Sequence, residues 1–265
     1  MPFPAAQTPG SPRFRFFRSV AALVLREMTT TYGRSPGGYL WVILEPVIGV
    51  ALLTVVFSLI SRTPPLGTNF PIFYATGMLP FTMYVAIGNL IAGAIKFSKP
   101  FLNYPAVSFM DALLARFLLT AVTHMIVMVM VITGIIVMYD LKLIISWPMI
   151  FSSIGMVLAL GFSIGVANCF MFTKFPIWQS FWNILTRPLF LLSGIIFIPE
   201  NVPANFRPYL LYNPLVHVTS QMRKGFYPTY DAPYVEPLYV YTIAIIVGIL
   251  GLLFLLRYHK DLALL

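Results

Sequence analysis

"FPIWQSFWNILTRPLFLLSG", residues 175–194, is apolar enough for a bilayer yet carries an arginine, two amides and two prolines. Its polar members are ordered, not scattered. On a helix of 3.6 residues per turn, Gln179, Asn183, Thr186, Arg187, Ser193 and Gly194 fall within about 120° of one another. Phe190 lies inside that stripe, and Trp178 and Phe181 lie largely off it. Lipid rejects a stripe of this kind, so it predicts a spanning helix that faces a water-filled path or polar groups of a neighbouring helix. Arg187 would sit about 15 Å deep, where an arginine is costly unless paired or hydrated. Two readings follow, and they do not exclude one another. One is a canal for a polar, anionic solute; the other is an internal ion pair, with Glu45 in "WVILEPVIG" as the partner.

The next stretch, "FLLSGIIFIPENVPANFRPYLLYNPLVHV" at 190–218, has four prolines, a glutamate and an arginine, so it cannot cross as one helix. Irregular backbone at membrane depth needs protein or water to satisfy its polar groups. A re-entrant helical hairpin at about 198–223, turning at "PENVPANFRP", meets that need and would roof the outer end of the polar stripe. A loop lying flat in the interface is the alternative.

Upstream and downstream the chain is built of the same material. Hydrophobic residues make up 59% of its 265 residues and charged residues 9%, far below the roughly one quarter of soluble domains. Stretches at about 40–60, 71–95, 112–138, 148–172 and 238–256 are each long enough to cross a hydrocarbon core, which takes about 20 residues. With 177–197 they make six spans. The expectation is an all-α integral membrane protein with a tail expected to be disordered at 1–12, an interfacial helix at 13–33 and a six-helix transmembrane domain at 34–265. The start "MPFPAAQTPGSP" has no apolar core and does not read as a cleavable signal.

The net charge of +9 is spread over the ends of apolar segments, which is a topology signal and not a nucleic-acid footprint. Lysine and arginine placement puts both termini in the cytoplasm. "RFRFFRSVAALVLREMTTTY" at 13–32 sets Phe14, Phe17, Ala21, Val24, Met28 and Tyr32 on one face and Arg15, Arg18, Ala22, Arg26 and Thr29 on another. Such a helix lies in the membrane surface. "GFSIG" at 161–165 is a small-xxx-small helix contact, Asn89 and Asn168 read as interhelical hydrogen-bond partners, and His124 as a packing residue. The one cysteine, Cys169, rules out an intrachain disulfide. There is no G-x-x-x-x-G-K-[ST] loop for a nucleoside triphosphate, no metal-ligand spacing and no paired carboxylates. A passage for a solute fits better than an intramembrane transferase.

Three stretches together resemble the transmembrane subunit of type-2 ABC exporters, most of all the capsular polysaccharide permeases. "LREMTTTYGRSPGGYLWVILEPVIG" at 25–49 is similar to the interfacial helix, its break and the W-x-x-x-x-P start of span one. "FLLSGIIFIPENVP" with "YNPLVHVTSQMRKGFYPTY" resembles the Ser-Gly exit of span five, the hairpin and the Asn-Pro-Leu motif. "KFSKPFLNYPAVSFMDALLARF" at 96–117 occupies the place of the helix that docks into the ATPase subunit. The resemblance implies a homodimer paired with two copies of a separate ABC ATPase, which would bind the ATP and Mg; this chain would bind no cofactor. It implies export of a polysaccharide, often lipid-linked, through a canal between the two copies in a bacterial inner membrane, with a periplasmic co-polymerase and an outer-membrane channel as further partners. An O-antigen or other glycan permease is the near alternative, and a drug or lipid exporter fits the polar stripe less well. Rings on a canal wall can stack on sugar C–H faces, which nominates Phe190 and Trp182, with Phe81 and Tyr84 by analogy. Coupling to the ATPase falls to Lys99, Phe101, Asn103 and Tyr104, with Lys174 in "TKFP" as a second contact. Pro199, Pro203, Pro208, Asn213 and Pro214 shape the exit hairpin.

Overall fold

The computed structural model describes residues 12–28, 38–97 and 109–264. Its elements are α1 (Pro12–Glu27), α2 (Gly38–Ile60), α3 (Phe70–Ala92), α4 (Phe109–Met138), α5 (Trp147–Lys174), α6 (Pro176–Leu192), a 3-10 turn (Pro199–Asn201), α7 (Arg207–Leu211), α8 (Pro214–Phe226) and α9 (Pro237–Leu264). Proline opens α3, α5, α6, α7 and α8 in the first or second position. There its missing N–H costs nothing and its fixed φ suits the first turn. Asn69 and Asn213 cap α3 and α8 by accepting from the backbone N–H groups of Ile72 (3.2 Å) and Leu215 (3.0 Å).

Among the described residues, five helices are long and apolar enough to cross a membrane: Leu40–Ile60 of α2, then α3, α4, α5 and Pro237–Tyr258 of α9. Helix α6 is not one of them. It runs unbroken through Pro188, but its 17 residues give only about 26 Å of rise. It ends where Gly194 takes φ +68°, a left-handed conformation that glycine adopts without a Cβ penalty and that ends helices.

Helices α3 and α5 form the centre and run parallel, in register. Gly161 packs on Ile87 and Gly165 on Ile91, one turn further along both helices. A Cβ at Gly165 would come within 2.7 Å of the Ile91 Cβ. The small-xxx-small stretch is therefore a packing seam, as its spacing suggests. Helix α9 runs parallel to the other side of α5, where Gly248 meets Ser163 and Gly251 meets the backbone of Ala167. Burial grades outward from this centre: 72% of the span window of α3 is buried and 11% of that of α2, whereas α6 buries no residue.

Helix α1 packs on α4 and not merely on the membrane surface. Glu27 and Arg116 form a buried ion pair at 2.9 Å, Arg116 donates to the Leu90 carbonyl (2.8 Å) and lies over the Phe97 ring. Arg26, on the basic face, also lies over Phe97.

Helix α8 lies antiparallel against the first turns of α5. Ser153 Oγ donates to the Val218 carbonyl and Ser146 N to the Gly225 carbonyl, both at 2.8 Å, with equal spacing along the two helices. Leu215 and Val218 join the apolar cluster around Phe81 and Met83, while Met222 and Phe226 join the one around Ile72 and Phe73 near the start of α3.

Candidate functional site

Helix α6 hangs on the bundle by its aromatic side. Trp178 Nε1 donates to Asn168 Oδ1 on α5 at 3.0 Å, so Asn168 is the interhelical partner its position suggests. Trp182 and Thr186 sit over Tyr84, Gly88, Asn89 and Ile164, leaving a void of about 10 Å³, at the lower limit for a single water. Phe190 meets Phe81 edge-on with ring centroids 5.4 Å apart. The packed face is thus the one carrying Trp178, Trp182 and Phe190. The polar stripe straddles its edge, and Gln179, Asn183 and Arg187 are all exposed on the chain.

At the first two turns of α6 the stripe opens into a pocket of about 280 Å³ shared with the last turns of α3 and with α5. Asn89, Gly93, Lys96, Phe172, Gln179 and Asn183 border it. Among the described residues the side chains of Asn89, Gln179 and Asn183 make no hydrogen bond and Lys96 no ion pair. Asn89 is therefore not the interhelical partner expected of it: the amide faces the pocket and not a donor on α5. Asn89 is in the last turn of α3, and Gly93 and Lys96 follow at spacings of four and three residues, a signal readable in the sequence but obscured by Lys96 counting towards topology.

The other end of α6 is closed by hydrogen bonds. Asn213 Nδ2 donates to the Leu192 carbonyl (3.1 Å) and Ser193 Oγ (3.3 Å), and Thr219 Oγ1 donates to the Ser193 carbonyl (2.8 Å). Arg223 is fully buried, donates to the carbonyls of Phe197 (3.1 Å) and Ile195 (2.9 Å), and stacks 4.1 Å over Phe73. Beside it Tyr230 OH donates to Glu200 Oε2 (3.2 Å) and contacts Tyr234 OH (2.8 Å), which contacts Ser220 Oγ (2.9 Å). Burial pushes the Tyr227, Tyr230 and Tyr234 phenols up, Tyr227 to about 12, so all three stay protonated. Sequence reading treats Arg223 as one more exposed basic residue; only tertiary packing reveals its two carbonyl partners.

In the hairpin region Pro199 is buried at the start of the 3-10 turn, while Pro203 and Pro208 are exposed. Arg207 holds the turn together by donating to the carbonyls of Pro199, Glu200 and Val202. Pro214 follows the capping Asn213 into α8.

Two expectations need correction. The expected ion pair between Glu45 and Arg187 does not form within the chain. Helix α2 packs on α3 and α4 while α6 packs on α5, so the two side chains occupy different flanks, and the ion pairs among the described residues are Arg116–Glu27 and Lys224–Asp231. Phe81 and Tyr84, expected on a canal surface, are buried within the chain behind Phe190 and Trp182. His124 contacts the Thr120 carbonyl one turn back on α4 (3.1 Å), a local packing arrangement. Lys174 is exposed at the end of α5 with Nζ 5.6 Å from the Tyr258 ring centre. Lys99, Phe101, Asn103 and Tyr104 lie outside the described residues.

Comparison with known proteins adds a family. The profile of ABC-2 type transporters matches residues 18–227. The polysialic acid transport protein KpsM of Escherichia coli is 30% identical over 241 residues, covering 88% of this chain and 91% of that protein. The capsule polysaccharide export inner-membrane protein CtrC of Neisseria meningitidis serogroup A is 25% identical over 246 residues, covering 92% of both. The O-antigen export system permease protein RfbA of Klebsiella pneumoniae is 21% identical over 221 residues, covering 79% of this chain and 80% of that protein.

Proposed function

The chain belongs to the family of ABC-2 type transporters, and from that premise we propose that it is the permease subunit that carries capsular polysaccharide outward across a bacterial inner membrane. The observation that carries this reading is the alignment with capsule-export permeases over about nine-tenths of both chains. The O-antigen relative aligns at lower identity and over less of the chain, which favours capsule over that alternative. ATP is hydrolysed by a separate ATPase subunit, and the permease domains of the family typically bind no cofactor themselves.

Six crossings follow if α6 and the turn after it traverse the membrane, with the ends of α3 and α5 and both termini in the cytoplasm. Helix α8 then rises from mid-membrane to the outer surface along α5, making α7 and α8 a re-entrant hairpin above the bonded end of α6. Support comes from the paired contacts Val218–Ser153 and Gly225–Ser146. The exposed row Gln179, Asn183 and Arg187 cannot face acyl chains cheaply. A second copy of the chain, meeting this flank and the uncovered face of α2, would turn it into the wall of a shared hydrated canal. Trp182 and Phe190 are the rings within reach of sugar faces, and Arg187 meets the passing polymer or Glu45 of the second copy. The segment holding Lys99, Phe101, Asn103 and Tyr104, with Lys174 as a second contact, transmits the motion of two ATPase copies. A periplasmic co-polymerase and an outer-membrane channel would receive the polymer.

The test is disruption of the reading frame in its own polymer-producing cell. Surface polymer should vanish while polymer accumulates inside, and complementation should reverse both. Undiminished surface polymer would overturn the proposal.

A further inference from the structure

The pocket at the start of α6 has the chemistry of a recognition site. It is bordered by three amides and an ammonium: Asn89 from the last turn of α3, Lys96 just beyond that helix, and Gln179 and Asn183 from α6. None of the three amides has a hydrogen-bond partner within the described chain. All three amides and Lys96 are exposed on the chain, so their donors and acceptors are open to water or to a ligand that enters the pocket. A ligand that satisfies it must accept from several N–H donors and also donate to amide carbonyls. Hydroxyl groups on a ring do both. Lys96 adds a positive charge, and charge-assisted hydrogen bonds to an oxyanion are about twice as strong as neutral ones. Phe172 supplies an apolar wall on which a ring can rest. At about 280 Å³ the pocket lies just under the lower end of the roughly 300–1,000 Å³ range of small-molecule sites, room for one sugar ring and not for an oligosaccharide. Beyond it, the void of about 10 Å³ under Trp182 and Thr186 stops anything larger than water.

We infer that this pocket binds one oxyanion-bearing, hydroxylated unit of the transported chain before it passes Trp182, with Lys96 holding the charge and Gln179, Asn183 and Asn89 the hydroxyls. The inference rests on the export reading and adds to it a selectivity: acidic units are held and neutral ones are not. The oxyanion can be a sugar carboxylate or a phosphate group.

Maleimide labelling of the full-length Asn183→Cys permease in lipid nanodiscs tests this, with the buried Cys169 as a silent background. The probes are a short oligogalacturonate, a maltooligosaccharide of equal length, and inorganic phosphate. The oligogalacturonate should slow labelling by about tenfold at about ten times its dissociation constant. The maltooligosaccharide should not; Lys96→Gln should abolish the protection, and Lys96→Arg should keep it. Protection by phosphate alone supports the same pocket and assigns the oxyanion to a phosphate group. Equal protection by the neutral sugar, protection by neither anion, or no labelling in the absence of ligand would each overturn the inference. Disruption of the reading frame is scored separately, so loss of surface polymer without protection here removes the pocket and leaves the export reading standing.

Discussion

The two ends of helix α6 are made of similar residues and do opposite things. At its C-terminal end, Asn213, Thr219 and Arg223 donate to carbonyls at 2.8–3.1 Å, that of Ser193 among them, and each is tied into the fold. At its N-terminal end, Gln179 and Asn183 face Asn89 and Lys96 across an open pocket, and the amides bond to nothing among the described residues. Polarity in a membrane helix therefore has two meanings. Where it is spent on backbone carbonyls it is architecture, because each broken bond leaves a buried acceptor bare. Where it is left unmade it is available to something that comes and goes.

The comparison can be broken most severely at Arg223. Arg223→Met removes the donors to Ile195 and Phe197 and the cation resting on Phe73. We expect a loss of about 3 kcal/mol or more, read as a large drop in the unfolding temperature of the detergent-solubilised protein. A stable Arg223→Met variant would show that the closed end is held by apolar packing alone. Next in size is Asn213→Ala. It deletes the cap of α8 and its tie to Leu192 at once, and a missing cap costs about 1 kcal/mol. The same thermal assay should place its unfolding temperature well above that of Arg223→Met but clearly below wild type. At the open end, Gln179→Ala with Asn183→Ala should move stability by no more than about 0.5 kcal/mol, the usual range for surface changes that touch nothing. A larger loss in that double variant would mean that the amides have partners within the fold.

The fold was legible where a single periodicity governs. Apolar runs set the five long spans, "GFSIG" sets the α3–α5 seam, and the proline and asparagine signals set where α3 and α8 begin. Helix α6 was legible as a striped helix, but its length was not, because only the left-handed Gly194 ends it short of a full apolar span. The direction of its stripe was harder still. A helical wheel gives angles between residues, not which angle faces the bundle, and the indole of Trp178 bonding to Asn168 rotates the packed face away from the polar centre. Arg116 and Arg223 look alike in sequence to any basic residue near a span end. Burial distinguishes them, through Glu27 in one case and two carbonyls in the other, and both partners are distant in the chain. The pocket combined residues from two helices almost ninety positions apart, so only the Asn89–Lys96 half could be read locally.

The smallest effect on stability should come from Arg187→Leu, and it separates the two meanings of polarity most cleanly. Arg187 is exposed and forms no ion pair among the described residues, so its removal strips no buried acceptor. If α6 crosses the membrane as proposed, the change also removes a charge from membrane depth, which by itself favours insertion. The unfolding temperature should therefore hold or rise slightly. If the flank of α6 borders a hydrated passage, export should nevertheless fall by about tenfold, the size expected for losing roughly 1.4 kcal/mol from a rate-setting contact. Surface polymer measured at matched protein levels checks it. Normal export from a normally folded Arg187→Leu protein would mean that the exposed side of the stripe faces nothing that moves, and the passage would then have to be sought on another flank of the bundle.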